Sequence, residues 1–386
     1  MPAYDAIVCG AGPAGSTAAR VLASEGYKVL LVEKAVLPRY KACGGGLTKK
    51  CYDLIDVDIS DIVEDRTYKM VFTNGFSESI VLESEDPWIY MVKRELFDTR
   101  LVQEAQQAGV ELRQGEEVID VAQQENGVKV VTRNAAYIGK YLIAADGVFS
   151  VVGKKLGLKK RYGIALEAEV FVGDDVLNRY RGCVKVDFSA IRGGYAWVFP
   201  KSDSLSVGIG TFTAKGNNLR HSLHRFMERE GIHPRAIATL KGHPIALNDG
   251  SFNTLLIGRI LLVGDAAMLT DPFTGEGIYY AIKSGIVAGR CVAQALLHDN
   301  PERLKRYVSY VKKELIGDIR VASFIAGICY RDFDRVFSML KRHPYIMDYF
   351  ADLVKGNDSY KHMPFRIVQR AIGLSKFKGL GRSSEI

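Results

Sequence analysis

The chain has 386 residues, 47% of them apolar and 25% charged, which describes an ordinary globular protein too long for one compact core and suited to two domains. That composition excludes disorder, collagen-like repeats and a disulfide scaffold. Six cysteines, at positions 9, 43, 51, 183, 291 and 329, have no Cys-x-x-Cys spacing, so neither a zinc site nor a dense disulfide framework is suggested and a reducing cytosol is the default compartment.

Net charge is +8, and residues 301–386 hold 17 Lys+Arg against 9 Asp+Glu while the rest of the chain balances at 35 of each. The excess therefore sits at the C-terminus. It suits an anionic surface, whether phospholipid, a diphosphate substrate or an acidic protein, although a solvated helical face accounts for the same charges. Asp5 and a glycine cluster stand where a secretory signal would carry basic residues and an apolar run, so none is expected. The longest apolar runs, such as Val321 to Tyr330, reach about half of the roughly 18 residues that a spanning helix needs.

Residues 4–9 (YDAIVC) read as a buried strand, followed by glycines, a small-residue helix to about Gly26 and a strand from Lys28 to Glu33. Gly10, Gly12 and Gly15 make a Gly-x-Gly-x-x-Gly turn inside this unit, and Glu33 follows 23 residues after Gly10. Gly10 permits the tight turn, Gly12 lets the backbone approach a pyrophosphate, and Gly15 packs the helix close to the strand. Glu33 is placed to accept hydrogen bonds from an adenosine ribose with a free 2′-hydroxyl, which favours FAD or NAD over NADP.

An amphipathic helix is expected from Arg94 to about Ala108, then short strands at Val110–Arg113, Glu117–Ala122 and Val128–Arg133. Residues 141–145 form a buried strand running into Asp146-Gly147. Residues 162–256 alternate apolar and polar in strand fashion, as a β-rich substrate domain would. At 260–265 (ILLVGD) the buried-strand pattern returns, a helix begins near Gly277, and from Arg303 the chain is mostly helical. The expected organisation is an FAD- or NAD-binding first part over 1–160, the β-rich domain over 161–256, a return segment over 257–300 and a basic helical region over 301–386. In class this is α/β, a Rossmann-type domain interleaved with a β-rich one.

The N-terminal fingerprint, the mid-chain Asp-Gly and the Gly-Asp near 265 together resemble the FAD-containing aromatic-hydroxylase-like flavoprotein superfamily. Within it, Pro38-Arg39-Tyr40-Lys41-Ala42-Cys43-Gly44-Gly45, Tyr195-Ala196-Trp197-Val198-Phe199-Pro200-Lys201 and Asp271-Pro272-Phe273-Thr274-Gly275-Glu276-Gly277 are similar to the geranylgeranyl reductase family. The resemblance implies FAD held by Gly10, Gly12, Ala14, Gly15 and Glu33, with Arg94 near the pyrophosphate and Val118 bordering the adenine. It also implies that Asp146, Gly147, Gly264 and Asp265 lie along the ribityl and pyrophosphate. Gly44, Gly46 and Gly275, with the backbone N–H groups of Gly277 and Ile278, are implied at the isoalloxazine, where a helix N-terminus stabilises negative charge on a reduced ring.

Cys43 is the candidate catalytic thiol, with an inert buried cysteine as the plainer reading. Tyr195, Trp197 and Phe199 alternate along a strand and so share one face, as the wall of an apolar channel or as ordinary core. Lys201 is a candidate for attracting a diphosphate or a lipid head, against a plain exposed strand-end lysine. Residues 364–374 put Phe365, Ile367, Val368, Ala371, Ile372 and Leu374 on one half of a helical wheel, suited to a membrane surface or to docking on the protein itself.

The expected function is FAD-dependent reduction of isoprenoid carbon–carbon double bonds, with NAD(P)H or a reduced ferredoxin as electron donor. A cytoplasmic protein is expected, with contact to an anionic membrane and no nucleic-acid partner. An FAD monooxygenase shares the same nucleotide signals, and a flavin-bound sensing protein is the non-enzymatic alternative.

Overall fold

The computed structural model describes residues 3–75, 78–158, 161–212, 218–248 and 254–371, with Ala371 described by its backbone alone. The run YDAIVC forms the strand Tyr4–Cys9, whose last four residues are buried. It pairs in parallel with Val29–Glu33 on one side and Ala136–Ala144 on the other. Parallel strands covered on both faces need such continuous apolar sequence. Glu111–Gln114 extends this sheet beyond Val29–Glu33. Ile260–Leu262 adds in parallel to Ala136–Ala144, so the return of the chain to the first sheet is as expected.

The helix Pro13–Ser24 packs against the long helix Ile278–Leu297. Small residues set their separation: a Cβ added to Gly285 would lie 2.4 Å from the Ala14 carbonyl oxygen. The expected strands after the Arg94–Gln107 helix are present as Glu111–Gln114, Val118–Gln124 and Gly127–Thr132.

A second sheet of seven strands runs in the order Ile237–Leu247, Arg161–Val170, Leu205–Thr211, Gly194–Pro200, Cys183–Asp187, Lys69–Thr73 and Ser79–Glu83. The last two correct the expected boundary at 161, because they belong to the segment assigned to the first domain. Lys69–Thr73 pairs in parallel with Cys183–Asp187, which buries Met70 and Phe72 beside Val184. The second sheet thus takes two of its seven strands from within the first 160 residues. Gly46–Thr48, Ile89–Val92 and Val63–Thr67 form a three-stranded sheet whose strands flank Lys69–Thr73 and Ser79–Glu83 in sequence.

The C-terminal helices Gly317–Cys329, Phe333–Arg342, Tyr345–Lys355 and Met363–Ala371 are structural rather than appended. Met347 and Val354 pack with Met70 and Phe72 of the second sheet. The segment expected to be amphipathic is helical from Met363 and docks on the protein through Met363 and Ile367, leaving Phe365 and Val368 exposed. Its positions 372–374 lie outside the described residues. Among the described residues no helix is long and apolar enough to cross a membrane.

Candidate active site

The glycine turn is held by close backbone contacts. Gly10 has φ +97°, and a Cβ on it would stand 2.4 Å from the Ala145 carbonyl oxygen and 3.0 Å from the Asp146 Cα, which places Asp146-Gly147 against the turn. A Cβ on Gly15 would be 1.9 Å from the Gly10 carbonyl oxygen. Gly12 faces open space: the nearest atom to a Cβ there is Arg39 Nη2, at 4.0 Å. No side chain caps the helix that follows, and no acid sits in its first turn. Its N–H groups and positive dipole end are therefore free for a phosphate.

Glu33 is buried, and its two carboxylate oxygens accept the backbone N–H of Ala11 at 2.8 Å and of Ala35 at 3.0 Å. Each oxygen keeps a lone pair for a ribose hydroxyl. The Glu116 N–H donates to the Glu33 carbonyl at 3.0 Å, which brings Val118 to the same edge. Ala14 abuts Gly264, and Asp265 accepts the Thr270 hydroxyl at 3.2 Å while lying 3.5 Å from a Cβ added to Gly277. Gly277 begins the helix Ile278–Leu297 without a side-chain cap. The open glycine cradle, the ribose acceptor and two uncapped helix N-termini fit FAD.

The loop from Pro38 to Gly46 is fastened from several directions. The Tyr40 hydroxyl donates to Glu167, and Lys41 Nζ meets His243 Nε2. The Gly45 N–H donates to Cys43 Sγ at 3.4 Å. Arg94, expected at the pyrophosphate, donates to Asp98 at 2.9 and 3.0 Å. Arg39, which sequence reading did not single out, is the guanidinium beside Gly12 and lies 3.0 Å from the same Asp98.

Burial works against the charge on Arg94, but Asp98 and Cys43 outweigh it and hold the guanidinium firmly protonated. Lys41 is pushed down to about 8, first by burial and then by Arg94. His243 falls to about 4 through burial and the nearby Lys41. Burial raises the Glu167 carboxyl to about 7.

Lys201 departs from its expected role. It is 2% exposed, and its Nζ donates to the carbonyl oxygens of Gly44 at 2.7 Å and Val92 at 2.9 Å. A Cβ on Gly45 would meet that Nζ at 2.5 Å. The strand ends against the Cys43 loop rather than in solvent, so the cation clamps the loop and does not reach out to a substrate head. Its ammonium is destabilised by burial and drawn back by Cys43, Glu169 and Glu167.

Beyond the loop lies a cavity of about 680 Å³ with largely apolar walls. Tyr195, Trp197 and Phe199 line it together, so the shared strand face is a cavity wall. Trp197 fits because residue 208 is glycine, where a Cβ would be 1.9 Å from the indole ring. Trp197 Nε1 is buried with no hydrogen-bond acceptor among the described residues, next to Gly44. The Tyr195 hydroxyl donates to the Thr274 carbonyl, and burial pushes that phenol up so that it stays neutral. Phe199 packs over Gly44, whose added Cβ would lie 2.7 Å from the ring.

The opposite wall comes from the C-terminal helices, through Phe324, Ile328, Phe337, Met347 and Phe350. Sequence reading missed this wall, although the amphipathic spacing of those helices was its local signal. Cys43 and the Gly275–Ile278 turn line the same cavity. Among the described lining residues only Lys50, Asp271 and Glu276 are charged, and each is satisfied locally. Lys50 pairs with Glu276 at 2.7 Å, and Thr48 donates to the same carboxylate at 2.5 Å. Asp271 accepts the Thr274 and Tyr360 hydroxyls, both at 2.7 Å. The wall is therefore effectively apolar.

Residues 3–179 match the FAD binding domain family. The chain is 32% identical over 345 residues to a digeranylgeranylglycerophospholipid reductase of Thermoplasma acidophilum, covering 81% of this chain and 84% of that protein. It is 29% identical over 351 residues to the chloroplastic geranylgeranyl diphosphate reductase of Oryza sativa subsp. japonica, covering 84% and 74% respectively. A crystal structure of a geranylgeranyl bacteriochlorophyll reductase-like protein from Thermoplasma acidophilum superposes with TM-score 0.78 at 25% identity, over 97% of this chain and 96% of that one. Sequence likeness along most of the chain, the matching fold and a glycine cradle beside an apolar cavity agree: the chain belongs to the geranylgeranyl reductase family of FAD-dependent oxidoreductases.

Proposed function

We propose that this protein is an FAD-dependent reductase that hydrogenates carbon–carbon double bonds of geranylgeranyl or longer prenyl chains carried by a diphosphate, a lipid or a quinone, with electrons from NAD(P)H or a reduced ferredoxin. The observation that carries the reading is the apolar cavity of about 680 Å³ lined both by the Cys43 loop and by the helix N-terminus at Gly277. Its volume lies in the range of small-molecule sites, roughly 300–1,000 Å³. Relatives named for a geranylgeranyl phospholipid and for a geranylgeranyl diphosphate support the chain class and leave the head group open.

Bound in the cradle and reduced, FAD supplies the hydride for one alkene carbon. The remaining work falls to this chain. An isolated alkene offers no charge to grip, so Tyr195, Trp197 and Phe199 must hold the bond in place by shape, in a slot that excludes water. The Tyr195–Thr274 hydrogen bond ties that wall to the turn ending at Gly277, so the aromatic face and the helix N-terminus keep one spacing. Cys43 lines the same cavity, where its thiol would pass the proton to the second alkene carbon, directly or through a water.

Anaerobic incubation of chemically reduced protein with a geranylgeranyl substrate tests the reading, and a more saturated chain is the expected product. Turnover that requires oxygen and adds a hydroxyl group would instead establish a monooxygenase.

A further inference from the structure

The cavity opens at a rim of unusual composition. Phe324, Ile328 and Met339 line the cavity and are nevertheless 69%, 48% and 38% exposed. On the helix Gly317–Cys329, Phe324 and Ile328 stand one turn apart, and Arg320 lies one turn before them. Arg331 follows three residues after Ile328, in the turn just beyond the helix end. A surface helix normally turns such apolar residues inward and its charges outward. Here the outward stripe reads Arg, Phe, Ile, Arg, the pattern of a helix lying at a lipid interface.

The neighbouring helix Phe333–Arg342 carries Met339 and ends in Lys341 and Arg342. Lys341 pairs with Glu78. Among the described residues Arg331 and Arg342 have no carboxylate partner, and both are exposed. Phe365 and Val368, on the helix packed beside these, are 66% and 56% exposed. Residues 317–342, which build this rim, hold five Lys+Arg against three Asp+Glu. Charge and apolar exposure therefore select the same partner, a negatively charged surface with an oily layer beneath it.

We propose that the rim formed by Gly317–Cys329 and Phe333–Arg342 seats in an anionic phospholipid surface, with Phe324, Ile328 and Met339 among the acyl chains and Arg331 and Arg342 at the phosphates. A prenyl chain then slides from the lipid layer into the cavity without crossing water. The proposal rests on the reading of the cavity as the prenyl-chain site, and its test separates the two.

Sedimentation of the FAD-loaded protein with vesicles of phosphatidylglycerol and phosphatidylcholine, against phosphatidylcholine alone, reads the docking directly. The wild type should bind the anionic vesicles, and added salt should weaken that binding. Arg331→Glu with Arg342→Glu should lower vesicle binding by about tenfold or more, while FAD content and turnover of a detergent-dispersed geranylgeranyl substrate stay as in the wild type. Phe324→Ser should weaken vesicle binding at high salt, where the arginines no longer contribute. Failure of the wild type to bind anionic vesicles, or equal binding by the charge-reversed protein, overturns the proposal; an acidic protein partner would give that result. Vesicle binding without turnover of the dispersed substrate would overturn the catalytic reading and support the surface.

Discussion

Lys201 ends a strand, where lysines commonly reach solvent, yet it is enclosed by the loop it holds. Two carbonyl oxygens depend on its ammonium. Lys201→Met leaves both without a partner, and hydrogen bonds to charged groups contribute about 1.5–3 kcal/mol each. The expected result is a loss of about 3 kcal/mol in unfolding free energy, with alkene reduction slowed more than FAD is lost, as measured by denaturant melts and by flavin absorbance. Stability unchanged within error would show that the clamp is not needed. Glu167 offers a second test at this scale. Its carboxyl titrates near 7 in the fold against 4.5 when free, so between those values the folded protein keeps a proton that the unfolded chain has lost. Stability must then fall as pH rises from about 4.5 to 7, by on the order of 3 kcal/mol when complete. Glu167→Gln should flatten that slope, and a variant with the wild-type slope would remove Glu167 as its source. Gly10, Gly12, Gly15 and Glu33 were legible in sequence because their constraint is local. The partners of Lys201 and Glu167 were not, since Gly44 and Tyr40 arrive from more than a hundred residues away.

Strands and helices were read well where one pattern governs one segment. The continuous apolar run at 6–9 and the alternation at 195–199 each specify an element and its inward face. Lys69–Thr73 and Ser79–Glu83 lie within residues 1–160, and nothing in their own pattern names Cys183–Asp187 as the neighbour of Lys69–Thr73. The pairing of Trp197 with Gly208 is testable at this scale. A methyl group at 208 would fall inside the indole ring, so Gly208→Ala must displace Trp197 from the cavity wall. Overpacking of this kind costs about 1–3 kcal/mol, and steady-state kinetics should show KM for the prenyl substrate raised by about tenfold with FAD retained. An unaltered KM would mean that Trp197 does not bound the substrate. Gly15→Ala places its methyl group against the Gly10 carbonyl and should yield protein that folds without binding FAD, which absorbance of the purified sample would reveal.

Across the molecule, the cavity is the feature that no single segment announces. The aromatic strand at 195–199, residues from 324 to 350, and residues 43–46 and 275–278 all contribute to its lining. The excess of C-terminal cations was visible in the composition, but its apolar complement at Phe324, Ile328 and Met339 is apparent only once these helices are laid across the second sheet. The fold class, the FAD cradle and the aromatic wall could be read because each has its own periodicity or spacing. The long-range closure could not, since it depends on which apolar faces meet. The most direct measurement is mass spectrometry of a geranylgeranyl lipid after anaerobic incubation with the dithionite-reduced, FAD-loaded protein. A mass gain of two hydrogen atoms for each reduced bond, abolished when the flavin is removed, is the predicted result. Recovery of the unchanged lipid from protein that keeps its FAD and binds the chain would contradict it.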